Sequence, residues 1–90
     1  MDQSEIENKL AELDEWGSDG KSISKRFEFK NSVLALKFVT AVSDIAEELN
    51  HHPDVQFGWG YAVIEFTTHD AGGLTDKDFE AASRVDGINS

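Results

Sequence analysis

The chain has no cysteine and a single proline, and its 90 residues contain no long apolar run. Without cysteine, the protein can have no disulfide framework, thiol nucleophile or thiolate metal site. A helix that spans a bilayer needs roughly 20 consecutive apolar residues. Residues 1–5 also lack the basic and apolar regions of a secretory signal. We therefore expect a cytoplasmic protein that does not enter a membrane.

Basic residues are also scarce. Eight lysines and arginines stand against eighteen aspartates and glutamates, which gives a formal net charge of −10 at pH 7. This charge repels phosphate backbones and anionic lipid surfaces, so we expect no direct binding to nucleic acid or membranes. The acidity needs no explanation beyond solubility. The length and the 39% hydrophobic content suit one domain with one core.

Two amphipathic segments predict the first helices. The first helix covers residues 5–13 and begins with a capping-box pair, Ser4 and Glu7. The second begins after Asn31 as its N-cap and ends before Pro53, which disfavours helical geometry in the residue before it. The second helix should bury a stripe at helical spacing, made of Ala35, Phe38, Val39, Val42, Ile45, Ala46 and Leu49.

Alternating apolar and polar residues predict strands. Residues 23–29 alternate in this way after a turn at residues 17–20. Two further strands form a hairpin if Gly60 and Tyr61 take the centre of a type II′ turn. The apolar pairs on one face of that hairpin are then Trp59 with Ala62, Phe57 with Ile64, and Val55 with Phe66.

A third helix completes the chain. It begins after Thr75 as N-cap, with Asp78 as the capping-box partner, and continues to about residue 88. In chain order the elements are helix, strand, strand, helix, strand, strand, helix. We predict an α+β fold, a two-layer sandwich in which a four-stranded antiparallel sheet carries three helices on one face.

All three histidines lie in two short segments, Asn50-His51-His52-Pro53 and Thr68-His69-Asp70. The hairpin register, extended past the strands, places His52 opposite His69 at about 5 Å. The unperturbed pKa of imidazole is about 6.5, so histidines that share a pocket suit acid–base chemistry near neutral pH. Two alternatives stay open. The histidines could be zinc ligands, or they could only cap the ends of the helix and strand.

Several motifs between Trp16 and about residue 86 resemble those of a known family. They are Trp16, Phe27-Glu28-Phe29, Phe38, the run Ala46-Glu47-Glu48-Leu49-Asn50-His51-His52-Pro53-Asp54, and the run Thr67-Thr68-His69-Asp70-Ala71-Gly72-Gly73-Leu74-Thr75 with Asp78. Together they resemble the pterin-4a-carbinolamine dehydratases, also called 4a-hydroxytetrahydrobiopterin dehydratases. A paired histidine before proline is a weak motif alone, but its combination with the second run is highly specific.

The resemblance implies that residues 1–90 form one domain of this family. Such a protein is a hydro-lyase that removes water from a 4a-hydroxytetrahydropterin and forms the quinonoid dihydropterin during tetrahydrobiopterin recycling. It implies no metal and no other cofactor. The catalytic residues that it implies are His51, His52 and His69, and the substrate-binding residues are Asn50, His51, His52, Pro53, Thr67, Thr68, His69 and Asp70.

The resemblance also implies partners. Strands pair across subunits in this family, so a homodimer or homotetramer is expected, and an aromatic amino-acid hydroxylase would act in the same pathway. The alternative function is that of a protein-interaction module, because animal members act as dimerisation cofactors, or transcriptional coactivators, through an exposed helical surface. The corresponding face carries Val33 and Leu36, but it turns polar at Thr40, Ser43 and Glu47.

Overall fold

A computed structural model, which describes residues 1–89, contains three α-helices and a four-stranded antiparallel sheet. The elements are α1 (Gln3–Leu10), β1 (Gly17–Ser18), β2 (Ile23–Glu28), α2 (Ser32–Leu49), β3 (Asp54–Gly58), β4 (Tyr61–Phe66) and α3 (Asp76–Asp86), with 3-10 turns at His69–Ala71 and Gly87–Asn89. The strand order in the sheet is β1-β2-β4-β3. The predicted α+β fold class is therefore confirmed.

The start of α1 differs from the prediction. Its N-cap is Asp2, whose carboxylate accepts a hydrogen bond from Glu5 N–H at 2.9 Å, and Glu5 completes the capping box. The predicted pair of Ser4 and Glu7 has the same three-residue spacing, so the local pattern alone could not choose between them. The earlier pair allows the helix to begin one turn before its buried residue, Ile6.

The end of α1 also differs, since the helix stops at Leu10 instead of residue 13. Residues 11–15 form turns and bends, and Glu15 has a left-handed backbone with φ 62°. Leu13 N–H donates to Leu10 O at 3.0 Å, and both side chains pack against the core. The apolar spacing that suggested a longer helix is therefore satisfied by a turn.

Helix α2 agrees with the prediction. Asn31 is its N-cap and accepts a hydrogen bond from Leu34 N–H at 3.0 Å. The predicted stripe is buried at Ala35, Phe38, Val42, Ile45 and Ala46, and partly buried at Val39 and Leu49. In residues 1–89, no helix has both the length and the apolarity needed to cross a membrane.

The register of the β3–β4 hairpin differs from the prediction. The observed pairs are Asp54 with Glu65, Val55 with Ile64, Gln56 with Val63, Phe57 with Ala62 and Gly58 with Tyr61. The turn therefore contains Trp59 and Gly60, and the prediction of a turn at Gly60 and Tyr61 is wrong. The predicted pairs, Trp59 with Ala62, Phe57 with Ile64, and Val55 with Phe66, are each displaced by two residues. Since the displacement is even, every side chain stays on its predicted face.

Contacts with β2 explain this register. Tyr61 pairs with Glu28 of β2 as well as with Gly58, so it belongs to the ladder and cannot lie in the turn. Phe29 N–H, just beyond β2, donates to Gly60 O at 2.8 Å. A glycine is compatible with either turn position, and the neighbouring strand selects one of them.

The strand order leaves β3 at one edge of the sheet. Its apolar residues Val55 and Phe57 are 36% and 46% exposed, and Trp59 in the turn is 71% exposed. Their neighbours on the central strand β4, Ala62, Ile64 and Phe66, are fully buried. This face of the hairpin is therefore apolar as predicted, but only its residues on β4 are buried, and those on β3 and in the turn stay exposed.

At the opposite edge, Gly17 and Ser18 pair with β2 as strand β1, so the prediction of a turn at residues 17–20 is wrong. The turn begins at Asp19, whose carboxylate accepts hydrogen bonds from the N–H groups of Lys21 and Ser22 at 2.9 and 2.8 Å. These two bonds lower the pKa of Asp19, because they stabilise its ionised form.

Helix α3 begins as predicted, with Thr75 as N-cap and Asp78 as its capping-box partner. It ends at Asp86, and the predicted continuation to residue 88 is a 3-10 turn. Asp86 also attaches the end of α3 to the core. Its carboxylate accepts the indole N–H of the buried Trp16 at 3.1 Å and binds Lys25 Nζ at 3.0 Å.

Candidate active site

A cavity of about 350 Å³ opens between the end of α2 and the segment that joins β4 to α3. Its lining consists of Asn50, His51, His52, Thr67, Thr68, His69, Asp70 and Lys77. Seven of the eight residues predicted to bind substrate thus lie around one cavity. Pro53 is not in the lining, and Lys77 is an addition to the predicted set. The catalytic and binding roles of these residues stay predictions.

The end of α2 directs the paired histidines to this cavity. Asn50 has a left-handed backbone (φ 51°, ψ 45°), a conformation that asparagine adopts more readily than most residues. His51 N–H then donates back to Ala46 O at 3.0 Å, which is the backbone bond of a Schellman cap. The chain therefore turns sharply at Asn50, and this turn directs His51 and His52 toward the cavity.

The predicted pairing of His52 with His69 across the hairpin is wrong. The observed register, extended past the strand ends, would place His52 opposite Thr67, and β4 ends at Phe66. Thr68 instead bridges to Gly73, and His69 begins a 3-10 turn within the loop that this bridge closes. His69 reaches the cavity from a loop, because the ladder has already ended.

His51 is held by a buried carboxylate. Its Nε2 lies 2.6 Å from Oδ1 of Asp78, whose side chain is fully buried. The imidazole also stacks on the ring of Phe66, with centroids 5.9 Å apart and planes inclined by 12°. In the tautomer that carries its proton on Nε2, His51 donates to this carboxylate, and Nδ1 is the ring nitrogen without this partner.

The second oxygen of Asp78 has its own donors. Oδ2 accepts from Thr68 Oγ1 at 2.8 Å and from Thr75 N–H at 2.9 Å. The hydroxyls of Thr68 and Thr75 are also 2.9 Å apart. One carboxylate therefore caps α3 and contacts His51 at the same time. Since both oxygens are engaged, burial of this charge is compensated.

The other two histidines are less constrained. His52 Nε2 contacts the carboxylate of Glu47, five residues before it in the chain, and both side chains are exposed. Within residues 1–89, the imidazole of His69 has no hydrogen-bond partner. In the same part of the chain, no group of three histidine, aspartate or glutamate side chains is arranged to hold a metal ion. The zinc alternative therefore has no preformed ligand set there.

Sequence comparison decides the family. The model of the Pterin 4 alpha carbinolamine dehydratase family matches residues 1–88. The chain belongs to this family. It is 38% identical over 88 residues to a protein of Sulfolobus acidocaldarius, with 98% of this chain and 97% of the relative covered. It is 41% identical over 88 residues to a protein of Roseiflexus sp., with coverage of 98% and 95%. Both relatives are named as provisional pterin-4-alpha-carbinolamine dehydratases.

Solved structures support the same family fold. A transcriptional coactivator/pterin dehydratase from Brucella melitensis is 29% identical and superposes with a TM-score of 0.93, covering 100% of this chain and 98% of that one. A pterin dehydratase-like RuBisCO assembly factor of the alpha-carboxysome is 23% identical, with a TM-score of 0.68 and coverage of 84% and 88%. The second likeness shows the fold alone.

In this member of the dehydratase family, three residues at or beside the site were not among the predicted site residues, and they are Lys77, Asp78 and Glu47. Asp78 was predicted as a helix cap and belongs to the motifs of the family resemblance, and Glu47 belongs to the first motif run and to the polar face of α2, but neither was predicted to take part in the site. A signal for Asp78 was present, because an acidic residue at the start of a helix lies close to the loop that precedes it. No local signal indicated that this loop would face the end of α2.

Proposed function

We propose that this protein is a hydro-lyase that converts a 4a-hydroxytetrahydropterin into the quinonoid dihydropterin. The observation that carries the proposal is the convergence of three imidazoles on one cavity, one of them paired with a buried carboxylate. The cavity volume of about 350 Å³ lies at the small end of the range for small-molecule pockets. The bicyclic substrate has no need of a cationic site, which suits a chain of net charge −10.

The reaction requires two proton transfers. The bond between carbon 4a and its hydroxyl breaks, the hydroxyl leaves as water after it receives a proton, and a ring nitrogen loses a proton. We assign the second transfer to His51, because the imidazolium that it becomes faces the Asp78 carboxylate. His52 and His69 lie in the same cavity and are the candidates for proton delivery to the hydroxyl.

The direct test is dehydration of a 4a-hydroxytetrahydropterin by the purified protein. We expect the absorbance of the quinonoid product to rise faster than in buffer, in proportion to protein concentration. The variant in which His51, His52 and His69 are all alanine is the matched control, with folding checked by circular dichroism. A folded wild-type protein that does not exceed the rate in buffer would exclude this function.

The pathway and location are parts of the same proposal. We place the protein in the cytoplasm, where it would serve tetrahydropterin recycling beside an aromatic amino-acid hydroxylase. The pterin ring is the part of the substrate that this site would recognise.

A self-associated form is also proposed. Within residues 1–89, no strand lies beside the outer edge of β3, and this edge carries Val55, Phe57 and Trp59. An exposed strand edge with apolar side chains favours pairing with another strand. Two copies joined along β3 would extend the sheet and cover these residues.

Phe57→Lys should abolish this association, because a charged side chain on the edge strand opposes pairing with the same edge of a second copy. We expect wild-type protein to have at least twice the chain mass of 10.0 kDa in light-scattering measurements, and Phe57→Lys to have the mass of one chain. Ser43→Lys, on the exposed polar face of α2, adds the same charge as a control. A monomeric wild type, or a variant of unchanged mass, would contradict the proposed interface.

A second candidate function is that of a protein-interaction module. Val33 and Leu36 are exposed on α2 and line a shallow apolar groove with Lys37 and Thr40. This surface lies apart from the histidine cavity. This function would be favoured if a helical partner binds the protein, if that binding is lost when Leu36 is replaced, and if it persists in the triple-histidine variant.

A further inference from the structure

Thr68 lines the cavity, but its hydroxyl is already engaged away from it. The half-buried side chain donates to Asp78 Oδ2 at 2.8 Å and lies 2.9 Å from the hydroxyl of Thr75. The adjacent residue, Thr67, donates to the carbonyl of Lys21 at 2.6 Å. The two threonine hydroxyls are thus committed to different partners, one toward α3 and one toward the β1–β2 loop.

The position of the Asp78 carboxylate depends on the partners of both its oxygens. Oδ1 contacts His51 at 2.6 Å, while the two donors on Oδ2 come from Thr68 and from the backbone of Thr75. A carboxylate is planar, so two directional hydrogen bonds that hold Oδ2 in place also set the position of Oδ1 relative to Nε2 of His51. The Thr75 bond belongs to the helix cap, and the Thr68 bond is the additional one.

We propose that Thr68 is a positioning residue, whose hydroxyl orients Asp78 and, through it, His51, rather than a residue that binds the pterin. The hydrogen-bonded chain runs from Thr68 through the two oxygens of Asp78 to Nε2 of His51. Its effect on turnover rests on the proposed function. Its effect on His51 itself does not, and it can be measured without substrate.

The kinetic test uses Thr68→Val, which removes the hydroxyl at nearly constant volume, and Thr68→Ser, which keeps it. Loss of a hydrogen bond to a charged group that orients a reacting imidazole should lower kcat by about tenfold. KM should change little, because the hydroxyl does not contact the substrate. Thr68→Ser should recover most of the wild-type kcat. A raised KM with unchanged kcat in Thr68→Val would overturn the proposal.

The spectroscopic test uses the small number of histidines. With three histidines in the chain, the ring ¹⁵N–¹H correlations of each can be assigned in the substrate-free protein. In Thr68→Val the ring nitrogen signals of His51 should move and the Nε2–H tautomer should lose population, while those of His69 stay unchanged. Thr67→Val is the matched control and should leave His51 unchanged. Unaltered His51 signals in Thr68→Val would contradict the proposed chain of contacts.

A further measurement needs no variant, in case Thr68→Val does not fold. The Thr68 hydroxyl proton should be observable in the wild-type spectrum, because a hydroxyl bound to a buried carboxylate exchanges slowly with water. Exchange as fast as that of an exposed threonine would overturn the proposal. If the wild-type protein fails to dehydrate pterins while His51 still responds to Thr68→Val, the proposed function is wrong and the positioning role stands.

Discussion

His51→Ala should lower the turnover of 4a-hydroxytetrahydropterin by about 10² to 10⁴, the usual contribution of a general acid or base. The variant removes the imidazole that contacts Asp78 at 2.6 Å, and neither of the other histidines shares this buried partner. Single-turnover kinetics with the protein in excess over the substrate measure the chemical step, and circular dichroism checks folding.

His51→Gln separates proton transfer from positioning. The glutamine amide can still donate to Asp78, but it cannot exchange a proton near neutral pH. We expect turnover as low as in His51→Ala, with a smaller loss of stability. A His51→Gln variant that keeps wild-type turnover would show that His51 transfers no proton in the reaction and acts only through its contact with the carboxylate.

Asp78→Ala should lower the free energy of unfolding by about 3 kcal/mol, the scale of a broken buried pair. The fully buried carboxylate has partners at both oxygens, so the variant leaves His51, Thr68 and the α3 cap without their acceptor. The measurement is urea unfolding followed by circular dichroism. Turnover should fall as well, because His51 loses the group that orients it.

Asp76→Ala is the control for this effect. Asp76 lies in the same helical turn, but it is exposed, and its ion pair with Lys9 at 3.2 Å lies at the surface. Exposed ion pairs and charges near a helix N-terminus contribute at most about 1 kcal/mol. Equal destabilisation by the two variants would mean that Asp78 acts only through the charge of the helix end.

The parts of the fold that were predicted correctly depend on neighbours along the chain. Each helix cap, at Asn31 and at Thr75, involves a residue three positions later in the chain. The buried stripe of α2 likewise follows from the spacing of apolar residues three or four positions apart. The first helix shows the limit of such signals. Two capping boxes with the same spacing compete within six residues, and the pattern itself contains no reason to prefer Asp2 over Ser4.

The residues of the candidate site were predicted from motifs, but the contacts between those residues were not. Seven of the eight predicted binding residues line one cavity. The contact predicted between His52 and His69 was wrong, because it extended a ladder beyond the end of β4. Asp78 entered the site because the first turn of α3 lies beside His51, which follows α2 and is 27 residues earlier in the chain than Asp78.

The sequence by itself determined which segments become helices and strands, which face of each is apolar, and which residue types are available for acid–base chemistry. These properties follow from side-chain periodicity and capping, which act over a few residues. Only the tertiary structure decided the hairpin register, the exposed edge at β3 and the pairing of His51 with Asp78. Each of these depends on contacts between residues far apart in the chain, and local propensity carries no information about which of several compatible partners will be adjacent.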